Sequence, residues 1–226
     1  MQPPKMPENE RSRLAALHNG VILDTPTEKR FDRLTLLARQ IFNTPISLIS
    51  LVDSNRQWFK SHQGIDISET NRDISFCGHA ILDQQIFCIP DTQKDSRFSD
   101  NPLVTGSPYI RFYAGAPLHI GEYRVGTLCV IDEKPREFNS NEHKILRHLA
   151  DCVESELNQT ELNKEKQELK RSQTLNKVIA DTQLEIIRQS NETSCFDSLI
   201  RNILALSESQ YGLLGEVHYS EQDKPY

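Results

Sequence analysis

The chain has 226 residues, 37% hydrophobic and 26% charged, with a net charge of −6, enough to bury one full core and begin a second. No apolar run approaches the roughly 20 residues of a membrane span, and the start MQPPKMPENER lacks the apolar core of a signal peptide, so a cytoplasmic chain with no membrane partner is expected. Acids and bases are interspersed, which leaves no footprint for nucleic acid, and five cysteines without a C-x-x-C pair predict reduced thiols rather than a disulfide frame or a metal site.

Residues 1–21 read as an N-terminal segment with a short helix. The stretch TEKRFDRLTLLARQIF then places Phe31, Leu34, Leu37, Ala38 and Ile41 at helical spacing, with cap candidates from Thr25 to Thr27. Asn43-Thr44-Pro45 stops that helix, and ISLISLVD follows as a mostly buried strand. Ser54-Asn55 turns the chain into a second strand, RQWFKSHQG. Trp58 shares a face of that strand with Arg56 and Lys60, where it serves either as rim packing or as a ligand contact.

Residues 65–109 are mixed: a short helix at ISFCGHAIL, a short strand at IFCIPD, and a turn-rich excursion at TQKDSRFSDNPLVTG. With Ser75 as N-cap, Cys77 and His79 stand two apart on a helix and point to different faces, so they make neither a nucleophile–base pair nor a shared metal site. Two readings of Cys77 stay open. It is a thiolate favoured by the helix dipole and open to oxidants, or a small buried thiol beside a locally hydrogen-bonded His79.

Two strands follow, IRFYAGAPLHI and YRVGTLCVID, joined by a hairpin turn at Gly121-Glu122. Alternation puts Ile110, Phe112 and Ala114 on a helix-covered face and Arg111 and Tyr113 on the other. There a guanidinium and a phenol suit a small anionic or planar ligand; alternatively, Arg111 pairs with Asp91, Asp95 or Asp100 to hold the long loop down. Arg97, Phe98 and Asn101 lie in a D-x-R-F-x-D-N run that builds either a self-bonded loop or part of a site.

Ser140 is the expected cap of NEHKILRHLADCVESEL, with Ile145, Leu146, Leu149 and Val153 as its apolar stripe. No proline or glycine occurs from Asn158 to Ser190, so one helix is predicted from about 141 to about 190. Its apolar residues thin through Leu157, Leu162 and Leu169 and thicken at Leu175, Val178, Ile179, Ile186 and Ile187. Such a rod cannot cover its own stripe, which predicts a homodimer through a coiled coil. Beyond it, Phe196-Asp197-Ser198-Leu199 repeats the F-D-x-L of Phe31-Asp32-Arg33-Leu34, and YGLLGEVHY follows as a strand-like run.

The markers SFCGHAIL, IPDTQKDSRFSDNPLV, IRFYAGAPL and GTLCVIDEKPREF, in that order, make residues 22–157 resemble a GAF domain of the bacterial sensory type. The resemblance implies an α+β fold: a central antiparallel sheet of five to six strands, terminal helices on one face and a loop-roofed pocket on the other. It divides the chain into the N-terminal segment, the GAF domain at 22–157, a helical signalling linker at 158–192 and the truncated start of a second GAF domain at 193–226. It implies a non-catalytic sensory module feeding a downstream output such as a histidine kinase or a diguanylate cyclase; the alternatives are a purely structural dimerisation module with no ligand and, after it, a thiol-based redox enzyme related to free-methionine-sulfoxide reductase. Trp58, Cys77, His79, Arg97, Phe98, Arg111, Tyr113 and Cys129 are the pocket candidates, and the cofactor, if any, is unknown.

Three specialised branches fit poorly. Cyclic-nucleotide binders carry N-K followed by F-x-x-x-D-E, which follows neither Asn163-Lys164 nor Asn176-Lys177. Bilin carriers use a cysteine immediately before a histidine, and Cys77-Gly78-His79 separates the two. The free-methionine-sulfoxide reductases share C-G-x-A with Cys77-Gly78-His79-Ala80. They also need a cysteine within 92–114, where there is none, and acids on the last strand, where only Asp132 stands at the end.

Overall fold

The computed structural model describes residues 1–20 and 22–188. The chain divides into two compact units, Met1–Leu162 and Asn163–Tyr226. The repeat at Phe196 and the expected second-domain start at 193–226 lie outside the described residues, as do the side chains of Ile186 and Ile187.

The first unit is built on a six-stranded antiparallel sheet, in the order β3-β2-β1-β6-β5-β4. Its strands are β1 (Ile46–Val52), β2 (Arg56–Gln63), β3 (Glu69–Asn71), β4 (Phe87–Ile89), β5 (Phe112–Ile120) and β6 (Tyr123–Asp132). Helices α1 (Glu10–Asn19), α2 (Lys29–Phe42) and the first turns of α5 (Ser140–Arg188) pack on one face. The short helices α3 (Phe76–Ala80) and α4 (Pro102–Thr105) belong to the other.

Alternation along the strands sorts two cores. Ile49, Leu51, Phe112, Ala114, Ala116, Leu118, Leu128 and Val130 face the helices, where Leu17, Phe31, Ala38, Leu146, Ala150, Val153 and Leu157 meet them. Ile46, Leu48, Phe59, Tyr113, Cys129 and Ile131 face the other side with Phe76, Cys77, Phe98 and Val104. The β5–β6 hairpin turns through the two residues Gly121-Glu122, where Gly121 supplies the positive φ, 56°, that the tight turn needs.

Several expectations need correction. In α2 the buried stripe is Phe31, Thr35, Ala38 and Phe42, while Leu37 and Ile41 are 45% and 49% exposed. Thr35 displaces a leucine from the interior because its hydroxyl bonds Ser61 Oγ at 2.8 Å, fixing the helix rotation on β2. The helix begins after Glu28, which caps it without a side-chain bond; Thr25 instead bonds the Ile22 carbonyl and the Lys60 ammonium. The α5 cap is Asn139 rather than Ser140. Asn139 Oδ1 accepts from the Asn141 and Glu142 amides at 2.9 and 3.0 Å, and Glu142 accepts in return from the Asn139 amide at 2.8 Å, a reciprocal capping box.

The N-terminal helix is part of this core, through Leu17 and through charge. Arg13, 1% exposed, donates to Glu10 at 2.7 and 2.8 Å and to the Val52 carbonyl at 2.7 Å, and Arg72 donates to the same Glu10 and to the Asp53 carbonyl. Burial alone would raise the Glu10 carboxyl, but the two arginines overcome it and hold it at about 2. No helix among the described residues is long and apolar enough to cross a membrane.

Candidate functional site: a roofed cavity over the sheet

On the sheet face away from α1, α2 and α5, the chain between β2 and β5 roofs a cavity of about 430 Å³. Ile46, Leu48, Phe59, Ile65, Phe76 and Ile110 make most of its apolar wall. Its polar groups are fewer: Gln57, Thr70, Cys77, Ser107, Tyr109 and Tyr113, with the carboxylates of Asp66 and Glu133. Among the described residues, the lining includes no lysine, arginine or histidine.

The roof is tied down locally. Ser75 caps α3 by accepting from the Gly78 amide at 2.9 Å, and its own hydroxyl donates to Gln57 Oε1. Asn101 caps α4 by accepting from the Leu103 amide at 2.9 Å, and its side-chain amide donates to the Ile74 carbonyl at 3.0 Å, tying α4 to the 3-10 turn Arg72–Ile74 that leads into α3. Phe76 and Phe98 stack at 4.3 Å beneath them. Aspartate and arginine pairs fasten the rest: Arg97 to Asp95 at 2.6 and 2.9 Å, Arg111 to Asp91 at 3.0 and 3.2 Å.

The predicted site residues therefore separate. Cys77 and Tyr113 line the cavity, and Cys129 and Phe98 lie in the same buried layer without lining it. His79 points away from Cys77, accepts or donates at the Gln2 carbonyl through Nε2 at 3.0 Å, and sits edge-on to Phe98 at 4.8 Å. Burial, and then the Arg97 charge, push its pKa down. Arg97 lies over the Phe87 and Phe98 rings at 5.0 and 5.3 Å, outside the cavity lining. Trp58 packs in the helix-side core.

Arg111 and Ile110 exchange the places that alternation assigns to them. The strand pleat begins only at Phe112, after Tyr109 turns the chain at φ 57°, so Ile110 enters the cavity wall while Arg111 swings to Asp91. Most of the wall, including Gln57 and Phe59 on the other face of β2 from Trp58, is not among the sequence-predicted site residues; alternation identifies two faces of a strand without saying which one the roof covers.

At the cavity floor Tyr113 donates to Cys77 Sγ at 3.3 Å. The ring reaches that position because residue 115 is glycine: a Cβ there would stand 2.2 Å from Tyr113 Oη and 2.7 Å from its Cζ. Gly115 pairs with Cys129 across β5 and β6, and Thr127, two residues earlier on the same face, pairs with Ser50 of β1. The hydroxyls of Ser50 and Thr127 are buried without a hydrogen-bond partner. Burial works to raise the Cys77 thiol, but Cys129 and the hydroxyls of Ser50, Thr127 and Tyr113 outweigh it and bring Cys77 below an ordinary cysteine. Cys129 and Tyr113 move the other way, raised by burial and by a negative charge on Cys77.

Comparison with known proteins agrees with this architecture. The GAF domain family matches residues 26–157. A cyclic di-GMP phosphodiesterase of Pseudomonas aeruginosa is 43% identical over 155 residues, which is 68% of this chain and 26% of the relative, so the chain spans about a quarter of that protein's length. The blue-light absorbing form of the PixJ GAF domain of Thermosynechococcus elongatus is similar in fold, with a TM-score of 0.51 at 14% identity over 68% of this chain and 93% of that one. The free methionine-R-sulfoxide reductase of Neisseria meningitidis gives a TM-score of 0.50 at 17% identity over 66% and 89%.

Proposed function

The chain belongs to the GAF domain family, and from that premise we propose that it is a non-catalytic sensory module: a small molecule occupies the roofed cavity, and α5 carries the change in occupancy to a downstream output. The cavity carries this reading, because it lies across a single sheet from the helices that begin and end the unit. A ligand that spreads or closes Tyr113 and Ile131 acts on the same strands that seat Leu146, Ala150 and Val153 through Phe112 and Val130. The output in this reading is a signalling enzyme such as a histidine kinase or a diguanylate cyclase; the name of the Pseudomonas relative, a cyclic di-GMP phosphodiesterase, supports one that acts in cyclic-di-GMP turnover.

The wall chemistry narrows the ligand to an apolar body without negative charge. Asp66 and Glu133 repel an anion, and the guanidinium expected to attract one is held by Asp91. A thermal-shift screen comparing neutral and amine compounds with nucleotides tests this. Stabilisation by the former that is lost in Phe59→Ala and kept in Arg111→Ala is the expected result; stabilisation by nucleotides alone refutes it.

The same reading makes α5 a homodimer contact in a parallel coiled coil. Leu169, Leu175 and Ile179 are exposed along it, and covering a Leu or Ile fully is worth roughly 1.5 to 3 kcal/mol. Light scattering should report a dimer for the intact chain and a monomer for a version ending at Asn158. A monomeric intact chain at micromolar concentration removes the contact.

A further inference from the structure

Cys77 and Cys129 come from distant parts of the sequence, one on α3 and one on β6, and the fold brings them to one buried niche. Tyr113 folds back over Gly115, the cross-strand partner of Cys129, and donates to Cys77 Sγ at 3.3 Å. Ser50 and Thr127 add two buried hydroxyls that no other group satisfies. A buried hydroxyl without a partner is costly, and a thiolate at Cys77, whose charge both hydroxyls favour, offers them an acceptor. Among the described residues no three of His, Cys, Asp and Glu converge, so the pair lacks the donor set of a zinc site. Cys77 also lines the apolar cavity, which gives a reactant a route to a sulfur only 1% exposed to solvent.

We propose that Cys77 and Cys129 form a peroxide-responsive thiol pair, in which Cys77 attacks a small apolar organic hydroperoxide admitted by the cavity and Cys129 resolves the product to a disulfide. In the first step the Cys77 thiolate attacks the terminal peroxide oxygen. The sulfur–oxygen bond forms, the oxygen–oxygen bond breaks, and the leaving alkoxide takes the proton released by Cys77 through the surrounding hydroxyls, giving an alcohol and a Cys77 sulfenic acid. In the second, the Cys129 sulfur attacks the Cys77 sulfur, and hydroxide leaves with the Cys129 proton as water. Two thiols lose two electrons and one hydroperoxide is reduced to alcohol and water. The product ties α3, part of the cavity roof, to the central sheet.

This deepens the sensory reading by naming its input, and it is tested on a readout of its own. The reduced intact chain is treated with one equivalent of cumene hydroperoxide and examined by intact mass and non-reducing peptide mapping. The expected result is loss of two hydrogens and a Cys77–Cys129 crosslink, with Cys129→Ser stopping at a dimedone-trapped Cys77 and Cys77→Ser unreacted. Tyr113→Phe should slow oxidation about threefold or more and move its pH profile upward, because the thiolate loses a donor. A dominant crosslink to Cys88, Cys152 or Cys195, or equal oxidation in Cys77→Ser, overturns the pair. A rate with hydrogen peroxide matching that with cumene hydroperoxide overturns entry through the cavity. Light scattering of the oxidised chain reads the α5 contact separately: a crosslink with no dimer in either redox state supports the thiol pair and removes the α5 reading alone.

Discussion

Gly115→Ala is the substitution that tests the cavity floor most directly. Its Cβ would stand 2.2, 2.7 and 2.9 Å from Oη, Cζ and Cε1 of Tyr113, where contact at optimal separation is about 3.5–4.0 Å. The phenol has no solvent to retreat into: Tyr113 is fully buried, packed against Phe76 at 5.3 Å and Phe87 at 6.0 Å. Overpacking of this kind costs about 1–3 kcal/mol, and the displaced hydroxyl loses a bond to Cys77 worth about 0.5–1.5 kcal/mol. The lower entropy of the unfolded alanine chain returns about 0.4–1 kcal/mol. The net expectation is a loss of about 1–3 kcal/mol, at about 2–4 °C of Tm per kcal/mol for a domain of this size. Trp58 is the sole tryptophan and sits in the core of the same unit, so its fluorescence reports this unfolding. The decisive comparison is a double-mutant cycle. In a Tyr113→Leu background the clashing atoms are gone, and Gly115→Ala should cost less than about 0.5 kcal/mol. An equal cost in both backgrounds refutes the account of why residue 115 is glycine.

Arg111→Ala should lower stability by about 1 kcal/mol or less, and Asp91→Ala by a similar amount, because the pair is a partly exposed clamp; chemical denaturation checks both. Lys60→Ala should cost about 1–3 kcal/mol by the same measurement, since its buried ammonium bonds Glu28 and Thr25 at 2.7 Å and the Pro26 carbonyl at 2.8 Å. Acid should weaken the seat of α1. Glu10 titrates near 4.5 when unfolded and at about 2 when folded, so its contribution is complete above pH 4.5 and disappears as pH falls towards 2. Stability measured against pH should show a shallower acid limb in Glu10→Gln; an unchanged slope removes that carboxylate as the cause.

What the sequence determined by itself was periodic or local. The apolar strand ISLISLVD, the Gly121-Glu122 hairpin, the Ser75 cap and the long uninterrupted helix each follow from spacing or turn chemistry within a few residues, and each stands in the structure. Marker order added the family and an antiparallel sheet of five to six strands, of which the structure has six. Rotation and reach were left to tertiary structure. Thr35 turns α2 by bonding a serine 26 positions away, and Asp91 draws Arg111 out of the face that alternation gave it. The thiol niche lay beyond any local rule, because it depends on an absent side chain: only with β5 paired to β6 does the space above Gly115 become the place where Tyr113 meets Cys77 beside Cys129.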